Sequence, residues 1–267
     1  MATRTYGAGT YGWGYYGLSM SFNLLSQSAR NLYHDIWRDP NLVGFWPMNE
    51  GSSTPLYDHS LTNRNNATAV GAVAGSSAGA LPAFSFDNSA NHYVGMGHIA
   101  AVDWTSGSSW SALAVVNQTS KPAAAAIMGK YNSTAVQGWV WALNASGQQQ
   151  VIVAAGPTSY MHRISCTTNV SGTPRMMGIC VSPANGGTGS VLEPEDVIFY
   201  TDGVGSTVGT NGASFAVGVV TSTNEFRVGL TANSTYGFTG SIGFVALFNT
   251  KKTPIDFKRW ARLGGFA

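Results

Sequence analysis

Apolar and polar positions change rhythm along the chain, and each change predicts an element. Between residues 25 and 37, Leu25, Ala29, Leu32, Tyr33, Ile36 and Trp37 fall at i, i+4, i+7, i+8, i+11 and i+12, the stripe of an amphipathic helix that Asp39-Pro40 stops. From residue 41 the spacing becomes that of strands: short runs rich in Val, Ile, Phe, Tyr and Trp, cut by Gly, Asn and Ser. The clearest runs are 42–47, 85–94, 111–116, 139–143, 150–154, 176–181, 197–200, 215–220, 225–230 and 240–248. The stretch 67–80, ATAVGAVAGSSAGA, reads as a low-complexity loop. A second helix closes the chain: Thr253 caps it, Pro254 takes its first position and Asp256 completes the cap. Phe257, Trp260 and Leu263 form its apolar face, and Gly264 ends it. Many short strands with few helices predict an all-β, antiparallel sandwich or barrel.

Ahead of the first helix, residues 6–17 repeat every five positions, as Tyr6-Gly-Ala-Gly-Thr, Tyr11-Gly-Trp-Gly-Tyr and Tyr16-Gly17. Neither helix nor strand has that period, and the glycines oppose a helix. Tyr6, Tyr11, Trp13, Tyr15 and Tyr16 offer large contact area with few rotatable bonds, so the segment reads as an arm that orders against another surface. The stripe of Leu32, Tyr33, Ile36 and Trp37 serves either to seat its helix on the same chain or to dock a partner. The organisation expected is an arm-and-helix unit over 1–39 and a β body over 40–267.

Composition narrows the function classes. Only 10% of the 267 residues are charged, while 44% are hydrophobic and 33 are glycine, which is not a disordered composition. A net charge of +2 argues against a nucleic-acid partner. The basic excess is local: Lys251, Lys252, Lys258, Arg259 and Arg262 stand against Asp256 in the last 17 residues. The N-terminus has no apolar h-region and no run of 18 apolar residues exists, so the sequence predicts assembly in a cytoplasm and no membrane partner. Cys166 and Cys180 are expected as buried, reduced thiols on strands.

The order of motifs resembles laminin-G-like (concanavalin A-like) domains. The run Leu42-Val-Gly-Phe-Trp-Pro-Met-Asn-Glu-Gly51 is followed by Asp58-His-Ser, Asn65-Asn66-Ala67 and Phe84-Ser-Phe-Asp87, with Tyr93-Val94 after it. Ile127-Met-Gly-Lys130, Gly138-Trp139, residues 176–181 and Phe199-Tyr-Thr-Asp-Gly-Val204 match the middle of the family pattern. Arg227-Val-Gly229, Phe238-Thr-Gly240-Ser-Ile242 and Val245-Ala-Leu247-Phe-Asn249 match its end. The sequence departs at Gly243, where the family usually has an acidic residue. The resemblance spans about residues 41–263 and implies a two-sheet antiparallel jelly-roll sandwich, a fold that hosts lectins, glycosidases, adhesion modules and structural subunits.

No catalytic constellation stands out. Glycoside hydrolysis needs two carboxylates about 5–10 Å apart, and the one alternating acidic pair, Glu193-Pro-Glu195, is broken by proline. Gly7-Ala-Gly9-Thr-Tyr-Gly12 fits a dinucleotide fingerprint without a preceding strand, and Gly75-Ser-Ser77-Ala-Gly79 fits a nucleophile elbow without a strand-to-helix turn. The five histidines show no metal-ligand spacing. Asp87, Asn88 and Asp202 are the calcium candidates, near motifs of a family in which many members hold that ion; the alternative is that they fix turns. Trp104, Trp110, Tyr131 and Tyr236, in loop-like contexts, are candidates to stack on sugar rings.

The YG-repeat arm ahead of a laminin-G-like body also resembles proteins of tailed bacteriophages. The expected function is a non-enzymatic virion structural protein, a capsid decoration (cement) subunit or a head or tail fibre component. It would attach to capsid or tail proteins and to itself through residues 1–39, as a homo-oligomer of trimeric symmetry. The alternatives are an adhesin for host surface glycans and a glycoside hydrolase.

Overall fold

The structure is a computed structural model, and it describes residues 25–50, 55–60, 65–89, 91–104, 108–120, 124–156, 159–168, 172–183, 196–206, 208–214 and 222–267. The arm residues Tyr6, Tyr11, Trp13, Tyr15 and Tyr16, the run 215–220 and the Glu193/Glu195 pair lie outside these residues. Among the described residues the first element is helix α1 (Gln27–Trp37) and the last is helix α2 (Pro254–Gly264). Between them come β1 (Leu42–Trp46), β2 (Thr68–Val70), β3 (Val73–Ala78), β4 (Leu81–Asp87), β5 (Tyr93–Gly95), β6 (Trp110–Gln118), β7 (Ala124–Gly129) and β8 (Gly138–Asn144). Then follow β9 (Gln148–Gly156), β10 (Ser159–Thr168), β11 (Arg175–Val181), β12 (Val197–Thr201), β13 (Val204–Ser206), β14 (Val208–Ser214), β15 (Arg227–Val228) and β16 (Thr239–Phe248).

These strands form two eight-stranded antiparallel sheets, the jelly-roll sandwich that the motif order implies. The first runs β13-β12-β11-β6-β16-β4-β3, with β1 beside the second half of β16, and the second runs β14-β10-β9-β8-β7-β15-β5-β2. Between them lies the main core, to which the central strands contribute alternate residues: Trp110, Ala112, Ala114 and Val116 from β6, and Trp139, Trp141 and Leu143 from β8.

The first sheet is buried on both faces. Leu113 and Val115 of β6, Phe244, Ala246 and Phe248 of β16, and Met176 and Cys180 of β11 point away from the sandwich into a second apolar layer roofed by the helices. That double burial explains why β6 and β16 read as nearly unbroken apolar runs. Helix α2 comes close because β11 has glycine beneath it: a Cβ on Gly178 would collide with the Phe257 ring, which stacks on Tyr200 at 3.9 Å. The α2 start is as expected, with a Thr253–Asp256 capping box, and Ser26 caps α1 through a bond from the Ala29 amide.

One open alternative closes and two expectations change. Leu32, Tyr33 and Ile36, expected either to seat their helix on the same chain or to dock a partner, are 0–1% exposed and pack within their own chain. Tyr33 meets Phe45 and Phe244 edge-on, and its hydroxyl donates to the Pro47 carbonyl. Burying such side chains contributes about 1.5–3 kcal/mol each, so the stripe is spent holding α1 to the body. Trp37, half-buried, stacks on His34 at the edge of that contact. Second, the expected loop 67–80 holds β2 and β3, and β3 pairs with β4 through small residues; Gly75-Ser-Ser77-Ala-Gly79 is thus an edge strand and its turn. Third, the run 85–94 is two strands: the chain turns at Asn88, whose φ is 64°, and carries β4 into the first sheet and β5 into the second. Cys180 is a free, buried thiol on β11, and Cys166 lies on β10.

Candidate functional site

Two loops meet beside β7, at the edge of the outer face of the second sheet. The first, 131–137, links β7 to β8 and is closed by paired backbone bonds between Asn132 and Gln137. The Asn132 side chain accepts from the Thr134 and Ala135 amides at 3.0 and 3.1 Å, a local turn that asparagine favours. The second, 231–236, follows β15, and Thr231 Oγ1 shapes it by accepting from the Thr235 and Tyr236 amides, both at 3.1 Å. Backbone bonds join this loop to β7 and the residue after Lys130: Ala232 donates to the Tyr131 carbonyl and Ala126 to that of Tyr236.

The side chains continue the match. Asn233 Nδ2 donates to Ser133 Oγ at 2.6 Å, Thr235 Oγ1 donates to Asn233 Oδ1 at 2.6 Å, and the Ser133 and Thr235 hydroxyls lie 3.0 Å apart. The Tyr131 and Tyr236 rings stack at 6.3 Å and 19° from parallel. Tyr131 is buried and Tyr236 half-exposed, over a floor of Ala126, Val140, Ala142 and Ala154. Both loops carry the tripeptide Asn-Ser-Thr, at 132–134 and 233–235, preceded by tyrosine in one and followed by it in the other. That mirrored repeat was visible in the sequence; only the fold shows the two copies facing each other.

No charged side chain belongs to either loop. The nearest charges are tied off: Arg227 pairs with Glu225 at 2.7 Å, lies 4.0 Å over the Tyr93 ring and donates to the Thr231 carbonyl at 3.3 Å. Just before Tyr131, the fully buried Lys130 ammonium is held by Asp103, whose other oxygen is 3.0 Å from His98 Nε2. Burial pulls the Lys130 pKa down while Asp103 pulls it up. This clasp anchors the base of the first loop.

The other candidates lie elsewhere. Trp104 and Trp110 are 5% and 2% exposed and stack on each other at 4.0 Å, with Trp139 4.5 Å from Trp104. Their polar neighbours suggest loops, but the rings turn into the core and present no face to a sugar. Asp87 fixes a turn by accepting from the Ser89 amide and lies 2.9 Å from His92 Nδ1. Asn88 donates its amide to the Phe238 carbonyl. Asp202 binds Arg175 at 2.6 Å and accepts from the Met176 amide. Asp87 ends β4 and Asp202 follows β12, strands four positions apart in the first sheet, about 19 Å at normal strand spacing, so the structure does not gather these residues into one site. Among the described residues no three His, Cys, Asp or Glu side chains group as metal ligands.

No family model and no curated protein matches the sequence. Solved structures do resemble the fold. Domain 4 of AbnA, a GH43 extracellular arabinanase from Geobacillus stearothermophilus, in complex with arabinotriose, is 14% identical with a TM-score of 0.57, over 83% of this chain and 98% of that one. The binding domain of Paraclostridial Mosquitocidal Protein 1 is 10% identical with a TM-score of 0.58, over 83% of this chain and 52% of that one. The botulinum neurotoxin serotype G binding domain is 9% identical with a TM-score of 0.54, over 84% and 51%. The chain thus spans nearly all of the arabinanase domain and about half of each toxin domain, and at these identities the likeness is one of fold.

Proposed function

We propose that this chain is a non-catalytic carbohydrate-binding sandwich that takes an uncharged glycan at the Tyr131–Tyr236 loop pair. The observation that carries the reading is the half-exposed Tyr236 ring, backed by the buried Tyr131 ring and set among Asn, Ser and Thr side chains in two loops free of charge. A sugar ring offers an apolar C–H face to an aromatic plane and hydroxyls to neutral donors and acceptors, whereas an anionic ligand calls for free Arg or Lys. The loops contain no carboxylate, histidine or thiol to act on a bound sugar. The arabinotriose held by a domain of like fold supports the reading.

The test is calorimetric titration with a panel of neutral oligosaccharides that includes arabinotriose. We expect binding in the micromolar-to-millimolar range, weakened about tenfold by Tyr236→Ala, the loss of one good stacking contact. Absence of binding across the panel, or an unchanged affinity in the variant, sinks the proposal.

A second reading concerns where the module is carried: as a decoration or fibre subunit of a tailed-phage virion, attached to its partners and to sister copies through the N-terminal segment. The Tyr-Gly repeat of residues 6–17 favours it. With the α1 stripe spent inside the chain, the attachment role falls to the arm ahead of it. Sedimentation of the full chain tests this reading: an oligomer that a Tyr11→Ser/Trp13→Ser variant reduces to monomer is expected, and identical behaviour of the two overturns it.

A further inference from the structure

Half of the chain's cations sit in one layer. The segments 27–39 and 251–264 hold seven of the 14 Lys and Arg and three of the 12 Asp and Glu, a net +4 that leaves −2 for everything else. All three carboxylates are engaged. Asp35 takes Arg259 at 2.9 Å and the Trp260 indole at 2.8 Å, Asp39 takes Lys252, and Asp256 serves the α2 cap and lies 3.5 Å from Arg259. Arg38, Lys251, Lys258 and Arg262 are exposed and pair with no carboxylate among the described residues.

The exposed aliphatic side chains belong to α2 and to the turn that rests on it. Among the described residues the exposed large hydrophobics are Val204 and Ile255, at 71% and 76%. Ile255, Lys258, Arg259 and Arg262 fall at i, i+3, i+4 and i+7, one outward stripe of α2. The β12–β13 turn rests on that helix: a Cβ on Gly203 would stand 2.8 Å from Lys258 Cα and 3.0 Å from Ala261 Cβ, so Val204 emerges beside α2.

We infer that this face, with Ile255 and Val204 at its centre and Lys251, Lys258, Arg259 and Arg262 around them, docks an acidic protein surface. Protein interfaces set apolar centres within polar rims, and the free cations supply charge complementarity. Phosphate backbones reward dense cations and gain nothing from exposed aliphatics, so a protein fits this face better than a nucleic acid. Residues 1–24 join the body at the start of the same layer, which lets arm and helix face engage one partner; to that extent the inference rests on the attachment reading. The face covers the first sheet while the tyrosine loops lie on the second, leaving the glycan site free.

The test uses the full-length chain on immobilised poly-L-glutamate as a stand-in for an acidic surface. We expect retention at low salt that fades towards about 0.15 M, where the screening length is about 8 Å. Lys258→Glu/Arg262→Glu should weaken retention about tenfold, the scale of electrostatic steering effects, while leaving thermal unfolding unchanged. Arg64→Glu/Lys121→Glu, which makes the same charge change outside both helices, should stay within about twofold. Equal losses in the two variants, no retention at all, or tighter binding to duplex DNA or to phosphatidylserine vesicles at the same salt would overturn the inference. The attachment reading fails separately, if the Tyr11→Ser/Trp13→Ser variant sediments like the parent chain.

Discussion

Asp39 holds Lys252 with both carboxylate oxygens, at 2.7 and 2.6 Å, across 213 residues of sequence. The Lys252 side chain is 7% exposed and lies 4.8 Å over the Phe248 ring, while Asp39 also accepts from the Asn41 amide. The pair therefore pins the end of α1 and the approach to α2 onto the same edge of the first sheet. Asp39→Ala leaves a buried ammonium without its partner, an error that costs about 3 kcal/mol or more. Adding Lys252→Met should restore most of the loss, because what destabilises is the orphaned charge. Urea midpoints of the three proteins decide it; additive losses in the double variant would contradict the pairing.

Trp104 and Tyr236 should separate stability from recognition. Trp104→Ala opens a cavity in the stacked Trp104–Trp110–Trp139 cluster and should lower stability by about 3–5 kcal/mol. Glycan affinity of the protein that stays folded should not change. Tyr236→Ala should do the reverse, costing about 1 kcal/mol of stability and most of the binding. A Trp104 variant that stays stable yet loses binding would return the site to the tryptophans.

The contrast between these two residues shows what local sequence carries. Helix α2 was legible because its cap, its proline and its apolar stripe are all local, and β6, β11 and β16 because burial on both faces makes them continuous apolar runs. Strand β10, SYMHRISCTT, was missed because its Met, His and Arg break the expected alternation. Strands β2 and β3 were missed because small residues suffice against β5 and β4. The direction in which Trp104, Trp110, Tyr131 and Tyr236 point is set by ring partners as far as 105 residues away, and the meeting of the two Asn-Ser-Thr loops depends on β7 lying beside β15.

Gly178 is a position where one methyl group should matter. It lies mid-strand in β11 under the Phe257 ring, and that ring holds α2 against Tyr200. Gly178→Ala forces the ring and the helix outward, an overpacking of about 1–3 kcal/mol. If the first α2 turn lifts, amides 257–261 should exchange faster while those of the second sheet hold their protection. Uniform acceleration across both sheets would mean that the helix is not a separable layer.

His59 should give the protein an acid-sensitive stability. Its Nε2 is buried with no hydrogen-bond partner among the described residues, its ring meets Phe45 edge-on at 6.5 Å, and burial lowers its pKa from 6.5 to about 4. Between those two values the unfolded chain binds a proton that the folded chain refuses. The contribution is therefore fully present above pH 6.5 and is lost as pH falls towards 4, at most about 3 kcal/mol. Burial lowers the pKa of His162 and of the more exposed His34 too, which adds to the slope. Glu50 opposes it: burial raises its pKa, so the folded chain keeps that proton to higher pH and gains from acid. His59→Phe removes the titrating group and keeps a ring against Phe45, and should leave the protein about 2 kcal/mol less sensitive to a drop from pH 7 to 5. Urea titrations of both proteins at the two pH values measure that difference; parallel losses would place the acid sensitivity on other groups.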